Sequence, residues 1–412
     1  MRSLGVLWLV VFISLTGFGV ITVPFPLVAE QMGASDFWKT FGGAGIFSLF
    51  QLLATPLWGR YSDAIGRKPI LLMSLAGSVL AYVWLAYASD LVALLLARAL
   101  GGIMSGNLSA AFAYATDVTE PKNRARGLGI ISSAFGLGFA FGPPIGGFLG
   151  MAPDGSASLF APALASAALS LLALLGTWLL LKESHPVSMR RPLRAAAPDS
   201  QSRAAGHDAA VAAAGSPFAE LFSKPVLVGL MIAALVVAIG SSAMQSVYQF
   251  WARDLFNYSL RDVGMQFAAF AVMTATGQAV LVGPLVHRFG EKRVALGATA
   301  GVTVGLILFA IATHPAMCWI AICVLGVALG VFTPSVTSLV SFEADPRSRG
   351  AVMGAFNSAS SSGRILGPAV SGPLYFSLGH AAPFLMSAVL TAIGGMLLLR
   401  ARARIVVAPV SP

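Results

Sequence analysis

Gly59-Arg60-Tyr61-Ser62-Asp63-Ala64-Ile65-Gly66-Arg67-Lys68-Pro69-Ile70-Leu71 stands between two long apolar runs and decides how the chain is built. It offers a helix-ending glycine at Gly59, one carboxylate at Asp63, a tight-turn glycine at Gly66 and two cations, Arg67 and Lys68. Apolar sequence reverses direction across about ten polar residues, and the charges gather where the chain would leave a bilayer. A weaker copy returns 224 residues later as Gly283-Pro284-Leu285-Val286-His287-Arg288-Phe289-Gly290-Glu291-Lys292-Arg293. Its counterpart to Asp63 is not a carboxylate. A tight reversal of two apolar runs, present twice, indicates a duplicated, many-helix membrane protein.

Composition agrees. Hydrophobic residues make up 57% of the 412 residues and Asp, Glu, Lys and Arg only 10%, where an ordinary soluble protein carries about 25% charged residues. A hydrocarbon core about 30 Å thick needs about 20 apolar residues per helix. Twelve such runs are legible: 5–27, 37–58, 69–88, 91–115, 127–149, 158–181, 225–249, 262–283, 294–313, 316–341, 350–376 and 382–400. The first is too long for a signal peptide and has no cleavage site leading to a soluble domain. The expected fold is all-α and integral to the membrane.

The net charge of +10 raises the question of nucleic acid, and its distribution answers it. With the N-terminus inside, Lys39, Arg253 and Arg261 fall on the outward side, Arg98 and Arg364 fall inside apolar runs, and every other Lys and Arg lies in an inward loop or terminus. This asymmetry places both termini in the cytoplasm and explains the charge without an acidic partner. Cys318 and Cys323 share one apolar run and provide neither a disulfide framework nor spaced metal ligands.

Two further landmarks repeat at nearly the same offset. Asp117 to Gly127 corresponds to Glu343 to Gly350, and Gly142-Pro143-Pro144-Ile145-Gly146 to Gly367-Pro368-Ala369-Val370-Ser371-Gly372. The division is an N-terminal bundle over 1–181, a polar cytoplasmic linker over 182–224, and a C-terminal bundle over 225–404. A short interfacial helix is expected from Pro217 to Lys224. Parallel repeats of this kind belong to transporters that rock two bundles about a midplane site. No phosphate-binding loop is present to couple ATP.

Asp63 is placed to accept hydrogen bonds from a helix N-terminus in the other half. Arg67 is placed to pair with Asp117 at the end of the fourth run. Together they would latch one side of the molecule shut; the plainer alternative is a charged loop that only sets topology. Gly59, Asp63, Gly66, Arg67 and Lys68 resemble the signature of the major facilitator superfamily, and the whole chain resembles its drug:proton antiporter branch, which includes the tetracycline exporters. The resemblance implies twelve helices in two six-helix pseudo-symmetric bundles, monomeric, in a bacterial-type inner membrane. It implies a secondary active antiporter driven by a proton gradient, with no cofactor, whose partners are a small-molecule solute, protons and the lipid bilayer. A transporter of one metabolite or organic anion, and a non-transporting scaffold or sensor, are the rival readings. An enzyme is not expected.

Arg98 lies inside the fourth run, where a charge should face the bundle interior; the alternative is snorkelling to the interface. Gly102 and Gly106 beside it admit a neighbouring helix. The resemblance gives this Arg a part in proton transfer. Gly138, Gly142, Pro143, Gly146 and Gly147 in the fifth run resemble the signature of antiporters, with Pro143 expected to kink the helix. The first run carries no acid at Ser14-Leu15-Thr16-Gly17-Phe18, unlike the tetracycline exporters. Coupling therefore falls to Arg98, Asp117 and Glu30, with Asp63 and Asp254 as further carboxylates near the surfaces. Phe18, Asn107, Gln245, Tyr248, Gln249, Asn357 and Arg364 are the candidate wall of a solute cavity.

Overall fold

The computed structural model describes residues 2–120, 124–185, 224–345 and 349–400. Most of the linker, including the helix expected from Pro217, lies outside the described residues, as does the chain beyond residue 400.

The apolar runs become helical rods. Helix α1 (Arg2–Thr22) stops before Pro24, and α2 (Phe25–Gln31) follows. Helices α3 (Asp36–Thr40) and α4 (Ile46–Ile65) are joined through a π-helical turn, Phe41–Gly45. Then come α5 (Arg67–Ala86), α6 (Leu91–Met104) and α7 (Leu108–Asp117), the last two continuous through a 3-10 turn at Ser105–Asn107. Helices α8 (Arg124–Leu149) and α9 (Phe160–Leu180) complete the first six rods. The second six are α10 (Pro225–Phe256), α11 (Leu260–Thr276) joined by a π-helical turn to α12 (Val282–Phe289), α13 (Glu291–Ala310), α14 (Pro315–Glu343), α15 (Arg349–Leu378) and α16 (Ala382–Arg400). Among the described residues ten rods are long and apolar enough to cross a membrane. Helices α8, with 26 residues, and α15, with 30, match the spanning length of about 20 residues and complete the two sets of six rods.

The stretch at 59–71 differs from its reading in one respect. Gly59 does not end the second rod. Helix α4 runs on to Ile65, and Gly66 alone separates it from α5. From Gly59 to Ile65 neither proline nor positive φ intervenes, so the backbone ladder runs on to Gly66. Gly66 adopts φ 118° and ψ 161°, a region essentially closed to residues with a Cβ. Gly290, at φ 77° and ψ 154°, makes the same one-residue hinge between α12 and α13.

The chain forms two compact units. One comprises Met1–Pro198 with Tyr248–Ala268, the other Asp199–Val247 with Ala269–Pro412. In the first, Leu7, Val11 and Leu15 of α1 pack with Ile70 and Leu71 of α5 and Tyr114 of α7. Lipid is as apolar as these side chains, so close packing rather than expulsion of water holds such helices together. Glycine faces allow it. A Cβ at Gly142 of α8 would lie 2.5 Å from Gly19 Cα and 2.7 Å from Thr16 O of α1. In the second unit a Cβ at Gly367 of α15 would lie 2.6 Å from Ile239 O of α10. The duplication thus extends to the packing.

Candidate functional site

The junction at Gly66 assembles a charged centre around Arg67. The Arg67 side chain is only 9% exposed. One guanidinium nitrogen donates to Asp63 Oδ1 at 2.5 Å and to Ser62 Oγ at 2.6 Å. Its Nε donates to Asp117 Oδ2 at 3.2 Å. The pairing of Arg67 with Asp117 expected from sequence is therefore present, and it joins α5 to the end of α7. Asp63 sits one turn before Arg67, so the same cation also clamps the hinge from within. Its carboxylate is 52% exposed, whereas Asp117 is 26% exposed.

Glu183, which sequence reading left in the linker, completes this centre. Helix α5 begins with its first backbone N–H groups unsatisfied, because its N-cap is Gly66. Glu183 supplies the missing acceptors. Its Oε1 takes Arg67 N at 3.0 Å and its Oε2 takes Lys68 N at 3.2 Å. A carboxylate there also meets the positive end of the helix dipole, worth about 1 kcal/mol. Ser184 Oγ donates to Asp117 Oδ2 at 3.2 Å, and Tyr114 donates to Lys182 O at 2.7 Å. The residues after α9 thus belong to the site. Lys68 Nζ caps the end of α9 at Trp178 O, 2.8 Å away.

Arg98 is 2% exposed. It does not snorkel. Its Nε and one terminal nitrogen donate to Gly43 O at 3.0 and 2.8 Å. Gly43 belongs to the π-helical turn of the second rod, a geometry that departs from the regular i to i−4 ladder. The guanidinium also lies over the rings of Phe47, Phe18 and Phe25, at 4.9, 5.3 and 5.8 Å. No carboxylate reaches it among the described residues. Phe18 therefore serves the Arg98 clamp. Gly102 and Gly106 lie against the α4 backbone near Phe47, Ala54 and Thr55, as their small size suggested.

The glycine motif of α8 has two faces. Gly138, Gly142 and Gly146 abut α1 at Leu15, Gly19 and Val20, while Gly147 abuts Gly264 of α11. Helix α8 passes through Pro143 and Pro144 unbroken. At the other end of this unit from Arg67, Glu30 accepts from Arg253 at 2.5 Å and lies 3.7 Å from Lys39. Arg253 also pairs with Asp254 at 2.9 Å.

The remaining candidates separate by burial. Tyr248 is buried and donates to Gln266 Oε1 at 2.6 Å, and Gln249 is buried beside it in sequence. Asn107 donates to Ser74 Oγ. Gln245 and Arg364 are half-buried and Asn357 is exposed. Arg364 donates to Ser361 Oγ at 2.8 Å, and no carboxylate meets it among the described residues.

This geometry coincides with a family. The Major Facilitator Superfamily model matches residues 7–368 and again 230–410. The chain is 33% identical to the tetracycline resistance protein, class C, of Escherichia coli, over 89% of this chain and 87% of that one. It is 25% identical to multidrug resistance protein 2 of Bacillus subtilis, over 93% and 91%. Its structure resembles the crystal structure of the human organic anion transporter MFSD10, with a TM-score of 0.68, 26% identity and coverage of 96% and 99%.

Proposed function

Because the chain belongs to the Major Facilitator Superfamily, we propose that it exports small amphipathic solutes, drugs among them, in exchange for protons. It is a secondary active transporter of the drug antiporter type, not an enzyme. The observation that carries the mechanism is the Arg67 centre, where one buried cation holds α4, α5 and α7 together through Asp63, Ser62 and Asp117. A proton on Asp117 would neutralise its carboxylate and release α7 from the junction. Coupling requires that proton to bind one transport state more tightly than the other, and a pair made and broken on rocking meets that requirement. Glu30, clamped by Arg253 and Lys39, is the corresponding candidate at the other end. Arg98 fixes α6 to the second rod by its hold on Gly43 O, so that the two move as one body. Gln245, Asn357 and Arg364 supply polar contacts for solute in the second unit. The bias of Lys and Arg supports a bacterial-type inner membrane with both termini cytoplasmic, and the protein acts as a monomer without nucleic acid. The moving bodies are the bundles 1–181 and 225–404, with 182–224 between them.

A second reading rests on a specific observation. Arg98 and Arg364 meet no carboxylate among the described residues, and the similar human structure is an organic anion transporter. A solute carboxylate would be the missing counter-charge. Proteoliposomes with an imposed pH gradient separate the two. Export of a lipophilic dye with opposite proton movement supports the first reading. Flux of carboxylated solutes alone supports the second. No flux across a broad solute panel would contradict transport.

A further inference from the structure

The copy of the 59–71 stretch borders a groove to which the proposed function assigns no role. Helices α12, α13 and α14 enclose an open groove with a volume of about 680 Å³ in the second unit. Its walls include Leu285, Val294, Val327 and Val331, and Arg293, Gly297 and Gly301 follow one another along α13 at intervals of four residues. That spacing gives the groove a length of about 12 Å along the helix. Helix α12 buries none of its residues, and a Cβ at Gly297 would meet nothing, so no protein group among the described residues fills the space. Polarity is confined to one end. There Arg293 lines the groove, and Arg288 lies over the ring of Phe289 at 5.3 Å, itself a lining residue. Where Arg67 in the first unit is neutralised by Asp63 and Asp117, neither of these two arginines has a carboxylate partner among the described residues.

We propose that this groove holds an acyl chain of an anionic glycerophospholipid, with the lipid phosphate bound by Arg293 and Arg288. An apolar channel on membrane-spanning helices, ending in two cations at the point where the chain leaves the apolar layer, has the charge order of such a lipid. Basic pockets between spanning helices take acidic head groups for this reason. Site and ligand complement each other along their length: methylenes against Leu285, Val294 and Val327, phosphate against guanidinium. The inference is independent of which solute the protein carries.

The test is native mass spectrometry of the full chain in detergent, with equal amounts of dioleoyl phosphatidylglycerol and dioleoyl phosphatidylcholine. The expected result is preferential retention of phosphatidylglycerol. Removing each cation, as Arg293→Gln and Arg288→Gln, should weaken that preference about fivefold, while Arg293→Lys should keep most of it. Gly297→Leu should fill the groove and reduce retention with both cations intact, in a protein whose lipid-free thermal midpoint is unchanged. Inorganic phosphate should not displace the lipid. Equal retention of the two lipids by the wild type, or an undiminished preference in the Arg288→Gln, Arg293→Gln double variant, would overturn the proposal. Displacement by inorganic phosphate would also overturn it, since the groove would then contribute nothing.

Discussion

The hinges at Gly66 and Gly290 share a backbone and differ in charge. Each is a single glycine at positive φ between two spanning helices. Each is followed by a lysine that caps the last helix of its half, Lys68 on Trp178 O at 2.8 Å and Lys292 on Leu399 O at 3.2 Å. Beyond that the copies diverge. Asp63 and Arg67 of the first become His287 and Glu291 of the second, and among the described residues the buried cation with its acidic partners has no equivalent there. Among the described residues the duplication has kept the glycine hinge and the lysine cap in both halves and the charge network in the first alone. We propose that the first hinge is a latch and the second a scaffold.

Substitutions at matched positions can break or sharpen this contrast. Arg67→Ala should have the largest effect. It strands Asp63 and Asp117 and should destabilise the first unit by about 3 kcal/mol, seen as a lower thermal midpoint in detergent. Glu291→Ala should leave the midpoint within about 0.5 kcal/mol. A similar loss from both would end the distinction between latch and scaffold. Gly66→Ala and Gly290→Ala come next, and here the halves should agree. Each forces a Cβ into a glycine-only region, at about 1–3 kcal/mol. A harmless Gly290→Ala would show that the second hinge does not hold this geometry. Glu183→Gln removes the charge that caps α5 while keeping the side chain's shape. It should cost about 1 kcal/mol and slow transport modestly, and high salt should narrow its difference from the wild type. Lys68→Met and Lys292→Met should be the mildest, at about 0.5 kcal/mol each, and nearly equal. Unequal effects would mean that the two caps are not equivalent.

The sequence revealed the parts of the site that rest on spacing or on cost in lipid. The pairing of Arg67 with Asp117 is legible because each lies where an apolar run ends, and both ends must reach the same surface. Arg98 was read as interior because a charge in a spanning helix must leave lipid. Gly138, Gly142 and Gly146 were legible as a packing face from their interval of four. Glu183 was not, because its partners are backbone N–H groups more than a hundred residues away. A usable signal existed: an acid directly after the sixth run, on the same surface as a helix that starts with glycine and lacks its own cap. Gly43 was equally hidden, since a π-helical turn has no composition of its own. Gly59 opens the polar stretch without ending α4, because the helix ends where the backbone reaches positive φ, at Gly66.

The most direct test of the contrast is transport itself. Dye flux driven by an imposed pH gradient should be measured side by side for the wild type, Arg67→Gln and Glu291→Gln, at equal amounts of folded protein in proteoliposomes. Removing the buried cation strands its carboxylate partners, at about 3 kcal/mol, and should lower flux at least about tenfold for Arg67→Gln, while Glu291→Gln stays near the wild-type rate. Equal rates for the two variants, whether both fast or both slow, would contradict a latch that resides in the N-terminal half.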